Sequence, residues 1–366
     1  MRWIFIFPIL LAVGGAQAQS ANKVSCKDEQ GNDVDWWYIY KLPKHFNLAS
    51  GAGGQDISGL RYLYVTSGSY DNWQLSGRRI GDPDSLTART LSPLFRDERN
   101  VLLAAYNDEF PNGTVSVTGG HAKGVVATDG QTGVWLVHSV PKFPTIPEYS
   151  YPTSGEQYAQ SFLCLTLDAA GVEKVGEILV YNEPHFYYER NPFHHTADEQ
   201  FPSLERALRH QWRTQEPYQK DIELQTLGGK EFRVFGKSPR ANVELYADVV
   251  APALDVNLFV EAWRDGAGNL PNSCSASDKV YNVEEISSPE LSVDFKTTHD
   301  HSKWAVSEEK GIKVHRWRIG GTDWTCVGDI NRQQTQLKRG GGTVCHKSST
   351  IAGLYRKLVA NYDKCN

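Results

Sequence analysis

Beyond its first eighteen residues the sequence has no apolar run long enough to form a membrane-spanning helix, and the mature protein is expected to be soluble. It has no excess of basic charge either: 38 lysines and arginines stand against 43 aspartates and glutamates, a poor balance for gripping a polyanion at neutral pH. None of its six cysteines lies close enough to another for a CxxC zinc or redox motif. His194-His195, near Asp198 and Glu199, lacks the i, i+4 partners of a helical metal site, so a surface loop is the better reading. Arg339 to Gly342 resembles a phosphate-cradling loop but lacks the lysine and helix that follow in a P-loop, which leaves a tight turn. No metal or cofactor is therefore expected.

What is present begins at the N-terminus. Arg2 supplies a positive start, Trp3 to Val13 a short apolar run, and Ala16-Gln17-Ala18 the small-x-small pattern that signal peptidase accepts. Residues 1–18 read as a removed signal peptide; a buried N-terminal strand is the weaker alternative. All six cysteines, Cys26, Cys164, Cys274, Cys326, Cys345 and Cys365, survive that cleavage. An even count in an exported chain argues for three disulfides, whose connectivity spacing alone leaves open. Asn112-Gly113-Thr114 is the only N-glycosylation sequon and suits an exposed loop. Removing Arg2 with the leader gives a formal charge of −6, yet all 11 histidines remain. Their ordinary pKa is about 6.5, so an acidic lumen could bring the sum to +5 and ease binding of nucleic acid.

Thirty-two glycines, 41 aromatic residues and frequent turn signals suggest a strand-rich globule. Strands are expected over 34–43, 60–65, 101–106, 123–127, 133–140, 243–250 and 258–263. Asp129-Gly130 marks a hairpin, and 141–152 looks irregular. Helical spacing of Leu204, Leu208 and Trp212, and of Leu354, Leu358 and Tyr362, predicts helices over 201–212 and 351–362. Trp36 and Trp37 could stack on bases, but a core strand is the simpler reading.

An internal echo carries more information. His121-Ala122-Lys123 precedes Trp135-Leu136-Val137-His138-Ser139-Val140, and 180 residues on, His301-Ser302-Lys303 precedes Trp324-Thr325-Cys326-Val327-Gly328-Asp329-Ile330-Asn331. Such a repeat suggests duplication of one α/β unit and a pseudo-two-fold molecule. In a strand, residues i and i+2 share a face, so each HxK sets an imidazole beside an ammonium. The lysine can hold a phosphate oxygen; the histidine can attack phosphorus or pass a proton. A lone HxK is more often a solvated surface pair; two with matching downstream strands are far more specific. Gly119, Gly120 and Gly124 would let a phosphate approach the first pair. His299 would tune its neighbour and His138 would sit behind the first pair.

The stretches VDWWYIYKLP at 34–43, YND at 106–108, GHAKGVV at 120–126, GVWLVHSVPKFP at 133–144, DHSKWAV at 300–306, WTCVGDINR at 324–332 and RGGGTVC at 339–345 resemble the deoxyribonuclease II family. They run from end to end of the mature chain. The resemblance implies an α/β fold of two pseudo-symmetric phospholipase D-like halves, 19–170 and 171–366, each a sheet flanked by helices. It implies hydrolysis of double-stranded DNA at acid pH without a divalent cation, leaving 3′-phosphate and 5′-hydroxyl ends, in lysosomes or secretions. It makes His121, Lys123, His301 and Lys303 the catalytic residues and Asn331 a phosphate ligand, in an element like GSxN. His138-Ser139-Val140-Pro141 offers no matching asparagine in the first half, and Asp129 is the nearest candidate for the superfamily's acidic residue, at a departing spacing. The family framework also implies disulfides Cys26–Cys164, Cys274–Cys365 and Cys326–Cys345. The proposed chemistry is a double displacement in which His121 attacks phosphorus and protonated His301 serves the leaving oxygen, an order that could be reversed. DNA is the expected partner, with no membrane; a homodimer is kept open. A phosphodiesterase for RNA or phospholipid, and an inactive secreted DNA-binding protein, are the rival readings.

Overall fold

Trp36-Trp37-Tyr38-Ile39-Tyr40-Lys41 is a strand buried at every position. Successive side chains of a strand leave opposite faces. Trp36, Tyr38 and Tyr40 accordingly enter the central core, while Trp37 and Ile39 enter a second core behind the sheet. A strand apolar on both faces needs cover on both, and that requirement sets the layers of this molecule.

The computed structural model describes residues 23–44, 58–96, 100–193, 197–309, 312–314, 317–319 and 323–365. The signal-peptide reading of 1–18 and the His194-His195 pair lie outside them. Two large sheets make a mixed α/β fold. The first has eight strands in the order Phe186–Arg190, Leu102–Tyr106, Gly124–Thr128, Thr132–His138, Gln160–Asp168, Trp36–Lys41, Tyr62–Thr66, Ser69–Leu75. The second runs Gln219–Gln225, Glu231–Lys237, Gly341–Lys347, Trp324–Gly328, Trp304–Ser307, Leu258–Glu261, Val280–Ser288, Val293–Lys296, with Val359–Tyr362 beside Val280–Ser288. Each HxK leads directly into a strand, Gly124–Thr128 or Trp304–Ser307, that lies antiparallel between two neighbours.

Helices Ala169–Asn182 and Ser349–Leu358 lie between the sheets and touch both. Asp168 caps the first by accepting from Gly171 N at 2.7 Å, and Ser348 caps the second by accepting from Ile351 N at 3.3 Å. Val172, Val175, Ile178 and Leu179 of one helix and Ile351, Leu354, Tyr355 and Leu358 of the other join the central core with Trp135, Leu163, Trp304 and Val327. Outside the first sheet lies helix Leu86–Arg96; outside the second lies the segment from Leu245 to Leu254.

The expected strands at 34–43, 60–65, 101–106, 123–127, 133–140 and 258–263 all form with shifted ends, and Gly130 takes φ +91° in the hairpin turn. Residues 243–250 do not form a strand. Leu245–Val250 is a π-helical turn continuing into Ala251–Leu254, started by Glu244, whose carboxylate accepts from Ala247 N. Its buried Leu245, Tyr246, Val250 and Ala251 cover the outer face of the second sheet, so tertiary burial overrides the strand character of the valines. The C-terminal helix stops at Leu358 and the chain turns into strand Val359–Tyr362, drawn to the sheet edge beside the Cys274–Cys365 bond. The helix expected over 201–212 is shorter, Pro202–Leu208.

The three disulfides are Cys26–Cys164, Cys274–Cys365 and Cys326–Cys345, the pairing that the family resemblance implies. Asn112 is exposed in a turn where its side chain accepts from Thr114 N at 3.0 Å. Leu179 is fully buried where the central helix meets both sheets. Leu179→Ala should therefore lower stability by about 2–5 kcal/mol in a denaturant titration.

Candidate active site

Both histidine–lysine pairs sit just before a strand, not inside one. Each is held by the other half of the chain. His121 N donates to Gly340 O at 2.8 Å, and His301 N donates to Ala159 O at 2.9 Å. Gly340 and Ala159 stand one residue before strands Gly341–Lys347 and Gln160–Asp168. The imidazoles repeat the exchange. His121 Nδ1 donates to Asp329 O at 2.5 Å, and His301 Nδ1 to Ser139 O at 3.1 Å. Asp329 follows Trp324–Gly328, the neighbour of Trp304–Ser307, and Ser139 follows Thr132–His138, the neighbour of Gly124–Thr128, so each ring bonds the backbone beside the other pair's strand. With Nδ1 committed to a carbonyl, Nε2 of each ring is the nitrogen left for chemistry.

The glycines of both halves make this docking feasible. A Cβ on Gly120 would lie 2.4 Å from Asn182 O, and one on Gly340 only 2.3 Å from the same oxygen, at the end of the central helix. Gly120 and Gly340 pair as an isolated bridge, as Ala159 and Asp300 do beside the second pair. Arg339, read from sequence as part of a tight turn, is a latch. Its guanidinium donates to Gly119 O at 3.1 Å, Ser116 O at 3.3 Å and Gly120 O at 2.8 Å, and meets Asp108 Oδ2 at 3.3 Å.

Asp108 is the residue that reading the motifs did not single out, although YND at 106–108 holds it. Its carboxylate bonds Lys123 Nζ and lies 3.7 Å from His121 Nε2. Burial alone would raise its pKa, but Lys123, His121 and Arg339 outweigh that and hold the carboxyl well below the usual range. Lys303 bonds no carboxylate among the described residues; its Nζ lies 2.7 Å from His301 O, 3.1 Å from His301 Nδ1 and 3.5 Å from His301 Nε2. Burial, helped by Lys123, lowers Lys303 to about 7. Burial and the lysines also push both histidines well below the ordinary imidazole value. Ser139, whose carbonyl meets His301 Nδ1, follows His138, whose N–H donates to Lys123 O at 3.2 Å, so the two pairs lie against adjoining backbone.

Asp329 is buried, accepts from Gly342 N at 2.9 Å, and is raised by burial to about 7. Asn331 is buried and its Oδ1 has no partner among the described residues. Asp129 lies at the far end of strand Gly124–Thr128, fixing the hairpin by accepting from Gln131 N and Thr132 N at 2.8 and 2.7 Å. His138 is buried against Phe143 and Phe162, and its backbone N–H donates to Lys123 O at 3.2 Å. The ring of His299 is exposed, while its carbonyl accepts from Ala159 N at 2.9 Å. Among the described residues no three histidine, cysteine, aspartate or glutamate side chains group as metal ligands.

Two imidazoles and two lysine side chains, each pair held by backbone from the other end of the chain, are groups that can move protons and hold a phosphate oxygen. Known proteins narrow that chemistry. Residues 25–365 match the model of the Deoxyribonuclease II family. Plancitoxin-1 of Acanthaster planci is 34% identical over 99% of this chain and 98% of its own length. Deoxyribonuclease-2 of Caenorhabditis elegans is 34% identical over 98% and 97%, and deoxyribonuclease-2-beta of Rattus norvegicus is 35% identical over 94% and 93%. The chain belongs to the deoxyribonuclease II family and is a deoxyribonuclease.

Gly340→Ala should push the backbone off Asn182 O and disturb the carbonyl that holds His121. We expect kcat on DNA to fall by about 100-fold, the penalty of an ångström-scale misplacement, in protein whose circular dichroism is unchanged. Asp329 tests the electrostatics. Its native pKa lies above the unfolded value of 3.8, so its contribution to stability is complete below that value and is lost as pH rises towards about 7. Asp329→Asn should thus gain stability relative to wild type between pH 4 and pH 8, read from denaturant midpoints at both.

Proposed function

We propose that this deoxyribonuclease is an acid endonuclease that cuts double-stranded DNA without a divalent cation, leaving 3′-phosphate and 5′-hydroxyl ends. The observation that carries this reading is the reciprocal docking of His121-Lys123 and His301-Lys303. One imidazole Nε2 attacks phosphorus while the other protonates the departing 5′-oxygen. Water, deprotonated by that second ring, then releases the 3′-phosphate from a phosphohistidine. Lys123 and Lys303 stabilise the charge that develops on the non-bridging oxygens, the task a metal ion performs in other nucleases. Asn331, with a buried amide in the element after strand Trp324–Gly328, is the accompanying phosphate ligand.

Acid activity follows from burial. One ring must be charged and the other neutral, and both are pushed below the ordinary imidazole value, so the productive combination gains population as pH falls below about 6.5. The repeated backbone contacts support two phospholipase D-like halves, 19–170 and 171–366, descended from one unit. The first sheet also takes strand Phe186–Arg190. The leader at 1–18, the three disulfides and exposed Asn112 support delivery to a lysosome or a secretion.

Plasmid DNA incubated with EDTA should be nicked by wild-type protein at pH 5 and barely at pH 8. His301→Ala should reduce the pH 5 rate by about 10²–10⁴-fold. Cutting that stops when the chelator is added, or equal cutting of RNA, would overturn the reading.

A further inference from the structure

The two histidine–lysine pairs are held alike by backbone but faced by different side chains. Tyr106 pairs across the sheet with Gly124, the residue after Lys123, and Glu261 pairs with Trp304, the residue after Lys303. Two residues on from each, Asp108 and Trp263 therefore occupy equivalent positions. Asp108 Oδ2 stands 3.7 Å from His121 Nε2. Trp263 presents its indole to His301 edge-to-face, with ring centroids 5.0 Å apart. We infer that His301 is the nucleophile and His121 the proton donor, because a carboxylate stands beside the reactive nitrogen of one ring and an indole with an ammonium beside the other.

This assignment rests on the double-displacement reading above and reverses the order expected from sequence. A carboxylate beside Nε2 stabilises an imidazolium there, the form a proton donor needs. Around His121 stand Lys123, Arg339 and Lys303, and Asp108 is the one group among them that favours its charge. Around His301 the charges of Lys303, Lys123 and His121 all disfavour a proton, and only the uncharged carbonyl of Ser139, bonded at Nδ1, favours one. Its Nε2 thus keeps a lone pair, with the Lys303 ammonium 3.5 Å away to hold an oxygen of the phosphate under attack.

His301 Nε2 bonds to phosphorus as the P–O5′ bond breaks, and the departing O5′ takes the Nε2 proton of His121. Water then adds its oxygen to phosphorus, giving one proton to His121 Nε2, while the P–N bond breaks. The free 3′-phosphate and His301 are released, with His121 protonated as at the start. Asp108 is a positioning residue in this scheme, holding Lys123 and steadying the His121 proton.

Thymidine 3′-(p-nitrophenyl phosphate) separates the two roles, because its leaving group needs no proton. At pH 5, His121→Ala should keep a burst of one equivalent of p-nitrophenolate within about tenfold of the wild-type rate, while losing DNA cleavage by about 10²–10⁴-fold. His301→Ala should show no burst. Peptide mapping after rapid quench should place the phosphoryl group on His301 in wild type and in His121→Ala. Asp108→Asn should move the pH profile for DNA to lower pH and leave that for the nitrophenyl ester in place, and Asp108→Glu should restore the DNA profile in part. A burst from His301→Ala with label on His121 overturns the assignment alone. Absence of any adduct in wild type overturns the double displacement and the assignment together.

Discussion

The centre exists because two backbone segments trade hydrogen bonds across the molecule. His121 is tied to Gly340 and Asp329, and His301 to Ala159 and Ser139. Neither ring is oriented by its own sheet alone. The strands that supply the carbonyls, Trp324–Gly328 and Gly341–Lys347 for one pair, Thr132–His138 and Gln160–Asp168 for the other, are also the ones packed around the central helices. Core packing and ring orientation are thus one constraint. A shift between the sheets that would barely alter buried area would still break the contacts fixing each Nδ1.

Burial gives the centre its electrostatic character. His138 and His346 join His121 and His301 in being held below the ordinary value by desolvation. These four do not supply the surface charge that a count of eleven histidines suggests for an acidic lumen. In the folded chain they resist protonation, so acid removes stability through them as pH falls below the unfolded imidazole value. Asp300, Asp329 and Glu261 act in the opposite sense, since burial raises each of them and acid keeps them neutral. Glu261 is fully buried with both oxygens lacking a hydrogen-bond partner among the described residues, so at high pH the charges of Arg264 and Lys303 offset the cost of its ionisation only in part. Buried carboxyls therefore oppose the loss of stability that buried histidines bring in acid.

Much of this architecture was legible in the chain. Alternation in WWYIYK, the Asp129-Gly130 hairpin and the repeated HxK with a downstream strand are local signals, and local structure obeys them. What stayed hidden is whatever depends on a partner distant in sequence. The valines of 243–250 read as strand because β-branching says nothing about a sheet face that needs a helical cover. Arg339 read as a turn because its partners, Gly119, Gly120, Ser116 and Asp108, lie more than 200 residues away. A spacing rule counts along the chain and so points to Asp129 rather than Asp108. The carboxylate bonded to Lys123 comes from two residues beyond the end of the neighbouring strand.

Symmetry and its breach divide the work. Backbone repeats the same donor and acceptor on both sides, since a peptide N–H and C=O are supplied by any sequence that keeps the strand ends in register. Side chains at matching positions are free to differ, and they do: Asp329 against Ser139, Asp108 against Trp263. In a wholly symmetric centre repulsion between the rings would still separate the two protonations, but neither ring would be chosen to carry the first proton. Displacement at phosphorus needs one charged ring and one neutral ring at once. In the proposed displacement a carboxylate on a single side decides which ring takes the charge, while the shared backbone frame turns Nδ1 of each ring to a carbonyl and leaves Nε2 free.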